Sequence, residues 1–149
     1  MTESVQASPV KKLTLRVEGN SLPQLFENVG RELLKTFINP EDVGEVLREK
    51  IIAEATDAPQ LLKAWVEALI NLAGRQHILF KAYRFQEFEV GKTGPGKLRS
   101  EITGELVDPL RHQFRKQPNQ WRCAHVELIN NAKIIEAQVI LEFADNGQK

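Results

Sequence analysis

The chain has 149 residues, 42% hydrophobic and 27% charged, enough to close a core without disulfides or a structural metal. Twenty Lys and Arg balance twenty Asp and Glu, which excludes bulk attraction to nucleic acid or lipid headgroups, so any anion binding has to be local. A lone Cys123 excludes an internal disulfide and a zinc site of several thiolates and fits the reducing cytoplasm, and no apolar run approaches the ~20 residues that a bilayer crossing needs.

Residues 1–10 are polar, without the order of an export signal, and read as a flexible tail ahead of a single domain over 11–149. Leu13, Leu15 and Val17 alternate with Thr14 and Arg16, the period of a half-buried strand, and Gly19-Asn20 follows as a turn. Ser21 is placed to cap a helix in which Leu22, Leu25, Phe26, Val29, Leu33 and Phe37 share one face, and Asn39-Pro40 ends it. After an acidic connection over 41–45, Ile51, Ala53 and Ala55 alternate in a second strand over 48–56. Asp57, with Gln60 as its reciprocal partner, predicts the start of a second helix carrying Leu61, Leu62, Trp65, Val66, Leu69, Ile70 and Leu72 on its apolar stripe. Gly74 is expected to be its left-handed C-terminal residue. Segments 78–90, 97–107, 121–129 and 132–143 are rich in β-branched, aromatic or alternating apolar residues and read as strands. Asn130-Asn131 predicts a tight hairpin with Val139, Leu141 and Phe143 on the buried face. The order predicts an α+β, two-layer domain: two amphipathic helices on a mostly antiparallel sheet of about six strands.

Several residues invite a chemical reading. Gly91 to Gly96 with Lys97 matches the opening of a phosphate-binding loop, but Leu98 stands where a magnesium-ligating hydroxyl belongs, a strand follows instead of a helix, and Pro95 lacks an amide, so a hairpin connection is expected. Cys123 and His125, two apart, are expected on one strand face, the spacing of a thiol and its base, although a strand cysteine ordinarily serves as a small buried hydrophobe. His77 is read as a favourable charge at a helix C-terminus. His112 lies in a polar stretch over 108–116, where a local turn with Asp108 competes with a partner or metal contact.

Three blocks in this order resemble the archease family across nearly the whole chain: the strand, glycine turn and capped helix from Arg16 through Gly19-Asn20-Ser21-Leu22-Pro23 to Asn28, the helix carrying Asp57, Leu61-Leu62, Trp65 and Leu69, and Gly104-Glu105 with Asp108. The resemblance implies that family's fold and a noncatalytic accessory protein, one that binds and activates an RtcB-type RNA ligase in tRNA splicing or RNA repair. It also implies a divalent metal held by two carboxylates, one in the first strand and one in the last. Here Lys12 takes the first place and Glu142 the second, and an ammonium has no lone pair for a cation, so a metal is disfavoured and no cofactor is assigned. Arg122 stands where the family has a functional lysine, and His125 replaces its threonine. The expected contacts to a partner or to phosphate are therefore Arg122, His125, Glu142 and Lys12, with Glu105 and His112 secondary and no catalytic residue. The alternative is an archease-fold interaction or chaperone module with no metal-dependent role, whose partner is another protein. On either reading direct nucleic-acid binding is weak or absent, because a neutral chain lacks the basic surface it wants, and no membrane is involved.

Overall fold

The computed structural model describes residues 10–90, 95–131 and 133–144. The elements are β1 (Val10–Gly19), α1 (Leu22–Phe37), a 3-10 turn (Pro40–Asp42), β2 (Leu47–Ala55), α2 (Ala58–Gly74), β3 (Ile78–Val90), β4 (Gly96–Leu106), a second 3-10 turn (Pro118–Gln120), β5 (Trp121–Asn130) and β6 (Ile135–Ala144). The α+β class and the six antiparallel strands are as expected, and the strands divide into two three-stranded sheets, ordered β1-β6-β5 and β2-β4-β3. Each helix bridges the two: α1 packs on β1, β6 and β3, and α2 on β5, β2 and β3. β1 starts at Val10, earlier than the alternation suggested, because its ladder with β6 runs on to Ala144. Residues 1–9 of the expected 1–10 tail and the glycine-rich segment 91–94 lie outside the described residues, Val10 of that tail belongs to β1, and from Gly96 a strand follows, with Leu98 buried.

Both helices form where capping and periodicity coincide. Ser21 Oγ accepts the Gln24 amide at 3.3 Å, and Asp57 Oδ1 accepts the Gln60 amide at 2.9 Å. The reciprocal glutamine expected at Gln60 is found at α1 instead, where Gln24 Oε1 accepts the Asn20 amide at 2.6 Å. Asp57→Ala should leave that amide unmet and lower the stability of the domain by about 1 kcal/mol, measurable as a shifted urea midpoint at constant slope. The apolar stripes are buried as read except for half-buried Leu22, and Trp65, fully buried, joins the helices by donating from Nε1 to the Phe26 carbonyl at 2.9 Å. Phe26 meets Phe88 edge-on at 4.9 Å between ring centroids, and Trp65 meets Phe85 at 5.2 Å, so the aromatic residues of β3 close the core beneath the helices.

Three local expectations are corrected. The left-handed residue after α2 is His77, at φ 59°, whereas Gly74 is helical. What Gly74 supplies is space: a Cβ there would stand 2.8 Å from Asn119 Cα, where the second 3-10 turn lies against the helix end. The β5–β6 connection is not a two-residue Asn130-Asn131 turn: neither residue takes positive φ, and Asn130 still pairs with Ile135. β5 ends at Asn130 and β6 begins at Ile135, with the Asn131 amide donating to the Ile134 carbonyl at 2.9 Å. Finally, β5 carries a register shift between Cys123 and His125, so these residues occupy opposite faces.

Candidate functional site

With β6 central in its sheet, its solvent-facing residues are flanked by register partners on both sides. Lys12 of β1 and Arg122 of β5 each pair with Glu142 of β6, which sets the three charges in one row across the strands. Lys12 Nζ lies 4.0 Å from Glu142 Oε2, and Arg122 holds the other oxygen, Oε1, from Nε at 3.1 Å and Nη2 at 2.7 Å. The two cationic side chains are 65% and 72% exposed and the glutamate 18%, so each pair contributes only about 0.2–1 kcal/mol. Little stability is invested in the row, which sets a fixed order of charge on an accessible face. His125 is in the next row, opposite Ile140, exposed, with Nε2 3.4 Å from Glu127 Oε2.

The pairing of Cys123 with His125 for nucleophilic chemistry does not survive the bulge. The thiol faces the core, where burial first and the neighbouring Glu67 carboxylate second push its pKa up to about 12. At neutral pH it is a protonated hydrophobe rather than a thiolate.

Glu105 and His112 come together elsewhere, at the end of β4. Glu105 Oε1 accepts the Gly44 amide at 2.8 Å and lies 3.2 Å from His112 Nε2, while Arg111 holds Oε2. His112 Nδ1 accepts the Asp108 amide at 2.8 Å, so the ring carries its proton on Nε2, which faces both Glu105 and the Asp42 carbonyl at 3.1 Å. The His112 side chain is inside the domain with both ring nitrogens engaged, so the contact expected of it as a secondary site residue is internal: it ties the loop after β4 to the turn before β2. The Gly44 amide, then the His112 and Arg111 contacts, hold the Glu105 carboxyl below the usual carboxylate range against the opposing effect of desolvation. A lowered folded-state pKa stabilises the fold above the unfolded value, and that contribution is lost as pH falls through the folded value. Glu105→Gln should therefore flatten the acid limb of the stability curve below about pH 4.3, measured by urea unfolding across pH.

The fit of a divalent cation at the β1–β6 position can be tested on the donor set. Oxygen ligands are needed, and the register partner of Glu142 is an ammonium while a guanidinium occupies the glutamate's other oxygen. Among the described residues, no cluster of three or more His, Cys, Asp or Glu side chains is arranged to hold a metal ion. These residues do not fit such an ion. Sequence reasoning overlooked a cleft beside the row, where the dipeptides Lys11-Lys12 and Arg115-Lys116 meet. The only signal was two adjacent basic pairs, far apart in the chain and without periodicity.

The model of the Archease protein family (MTH1598/TM1083) matches residues 13–142. The chain is similar to protein archease of Methanosarcina acetivorans, 27% identical over 125 residues that cover 83% of this chain and 84% of the relative. It is also similar to protein archease of Pyrococcus abyssi, 27% identical over 104 residues, 69% of this chain and 71% of the relative. The solution structure of Methanobacterium thermoautotrophicum protein 1598 superposes with a TM-score of 0.68 at 15% identity, covering 93% of this chain and all of that one, a likeness of fold.

Proposed function

The chain belongs to the archease family, and from that premise we propose that it is a noncatalytic accessory protein that docks on an RtcB-type RNA ligase and raises its turnover in tRNA splicing or RNA repair. The observation that supports this reading is the row Lys12–Glu142–Arg122, three register-locked charges on the exposed face of one sheet, with His125 beside it. Charge order on a rigid strand face gives specificity and association rate rather than raw affinity, which suits a partner that engages and releases. The lone Cys123, a free buried thiol, fits work in the reducing cytoplasm, and among the described residues no helix is long and apolar enough to cross a membrane.

The test is a reconstituted ligation reaction in which turnover is measured with and without the wild-type chain and with Glu142→Ala. Wild type should increase turnover and Glu142→Ala should increase it less; a wild-type chain that never does so ends this reading for that ligase.

The engagement of both Glu142 oxygens by cations favours a second reading, in which the fold binds its protein partner without any metal-dependent step. Calcium or manganese titrated into the wild-type chain should then show no tight site by calorimetry, whereas Lys12→Asp, which sets a carboxylate opposite Glu142, should gain measurable affinity. A dissociation constant of about 1 μM or tighter for wild type would contradict it.

A further inference from the structure

A cleft of about 360 Å³ opens between the start of β1, the end of β6 and the segment before β5. Its walls carry Lys11, Lys12, Arg115 and Lys116, and no carboxylate is among its lining residues. Four basic residues thus line one cleft in a chain of zero net charge, with Lys12 shared between the cleft and its 4.0 Å contact to Glu142, a local concentration of positive charge that overall composition could not reveal. The segment bearing two of them is fixed: the Arg115 amide donates to the Phe37 carbonyl at 2.7 Å, and its Nη1 donates to the Lys35 carbonyl at 2.9 Å. Helix α1 therefore ends on Arg115, and its last carbonyls hold the guanidinium in place. The other walls are Trp121 and Phe143, tilted rings with centroids 5.0 Å apart. Trp121 is 8% exposed, yet its Nε1–H is buried without an acceptor among the described residues, an unmet donor beside a cationic cleft.

The geometry points to a binding site for a nucleoside polyphosphate. Four like charges around one small concavity match a ligand bearing several negative charges within a few bonds, whereas an acidic peptide spreads single carboxylates along an extended groove. The volume lies within the usual range for small-molecule sites, and the aromatic wall provides an apolar face for a nucleobase next to the phosphates. Arg115 and the lysines hold the phosphate oxygens, and Phe143 and the edge of Trp121 receive the ring. The site shares Lys12 with the row, and its test rests on Lys11 and Lys116 on the free chain, so its outcome is read separately from ligase activation.

The same chemistry is offered by a free nucleotide and by the 5′-triphosphate end of an RNA, and the test separates them. GTP is titrated into the full chain at low salt without divalent cations, followed by calorimetry and tryptophan fluorescence. Inorganic tripolyphosphate, guanosine, a 5′-triphosphorylated RNA pentamer and an Asp-rich peptide are run in parallel. GTP is expected to bind with a dissociation constant below about 1 mM, more tightly than tripolyphosphate, with no binding of guanosine and a strong weakening by salt. Lys11→Gln/Lys116→Gln should weaken binding by about tenfold, and Lys50→Gln, on the exposed face of the distant β2, should not. A pentamer binding more tightly than GTP assigns the source as an RNA end; the reverse assigns it as free nucleotide. Absence of GTP binding, equal affinity for tripolyphosphate, stronger binding of the peptide, or an unaffected double variant would each overturn the proposal.

Discussion

Gly104→Ala is expected to remove a large part of the stability of the fold, since among the described glycines it is the one whose added carbon would come closest to another atom. Gly104 lies in the central strand of the second sheet, paired with Leu47 on one side and Phe80 on the other. A Cβ at this position would stand 1.8 Å from the Leu79 carbonyl oxygen and 2.9 Å from its carbon, so the obstacle is backbone that no rotamer change can clear. Relief requires β3 to move away from β4 next to the register shift between Phe80 and Ala82, where the ladder is already interrupted. Leu79 and Phe80, both fully buried, would move with it. Overpacking with lost ladder bonds should cost about 3–5 kcal/mol, a large part of the roughly 5–15 kcal/mol a domain has in total. The measurement is chemical denaturation, with Gly44→Ala as control. There the nearest atom to the added carbon is a Glu105 side-chain oxygen at 3.4 Å, ordinary contact, and the midpoint should move little. A Gly104→Ala protein as stable as wild type would show that β3 and β4 do not approach in this register.

How much of this was legible in the sequence depended on the range of the forces involved. Ser21, Asp57 and the two apolar stripes act within a few residues, and both helices fall where capping and periodicity placed them. Strand parity was equally local: Arg122 alternates with buried Trp121 and Cys123, Glu142 with buried Leu141, and Lys12 with half-buried Leu13, and the row itself needed the pairing of β6 with both β1 and β5. The division into two sheets was not legible, because which strand edges meet is decided by how α1 and α2 straddle the core rather than by any one strand. The extra residue in β5 was equally hidden: one bulge at Ala124 separated Cys123 from His125, and alternation has no marker for such an insertion. His77 takes the left-handed position expected of Gly74, because the Pro118–Gln120 turn packs on the helix end and claims the space that the glycine leaves. The basic cleft went unseen for a similar reason, since Arg115 is brought to Lys11 by carbonyls of α1 and not by a pattern in its own segment.

Under the proposed accessory role, Glu142→Lys should abolish the stimulation of RNA ligation while leaving the protein folded. The substitution replaces the central acid of the row by a third cation between Lys12 and Arg122, so each attractive register pair becomes repulsive. In stability this amounts to about 1–2 kcal/mol, because the flanking cations are mostly solvated and can swing away. In recognition the effect is far larger, for a partner surface that complements plus–minus–plus meets three like charges, and like-charge juxtaposition at an interface costs several kcal/mol. Stimulation should fall to the rate of the ligase alone, with far-ultraviolet circular dichroism unchanged. The double variant Lys12→Glu/Glu142→Lys separates the two effects, because it restores an opposite-charge pair across β1 and β6 but reverses its direction. Part of the stability should return, and stimulation should not. If stimulation instead recovered in step with stability, the row would be a strut of the sheet and the docking face would lie elsewhere; if Glu142→Lys alone stimulated as well as wild type, the charge order would carry no information for the partner.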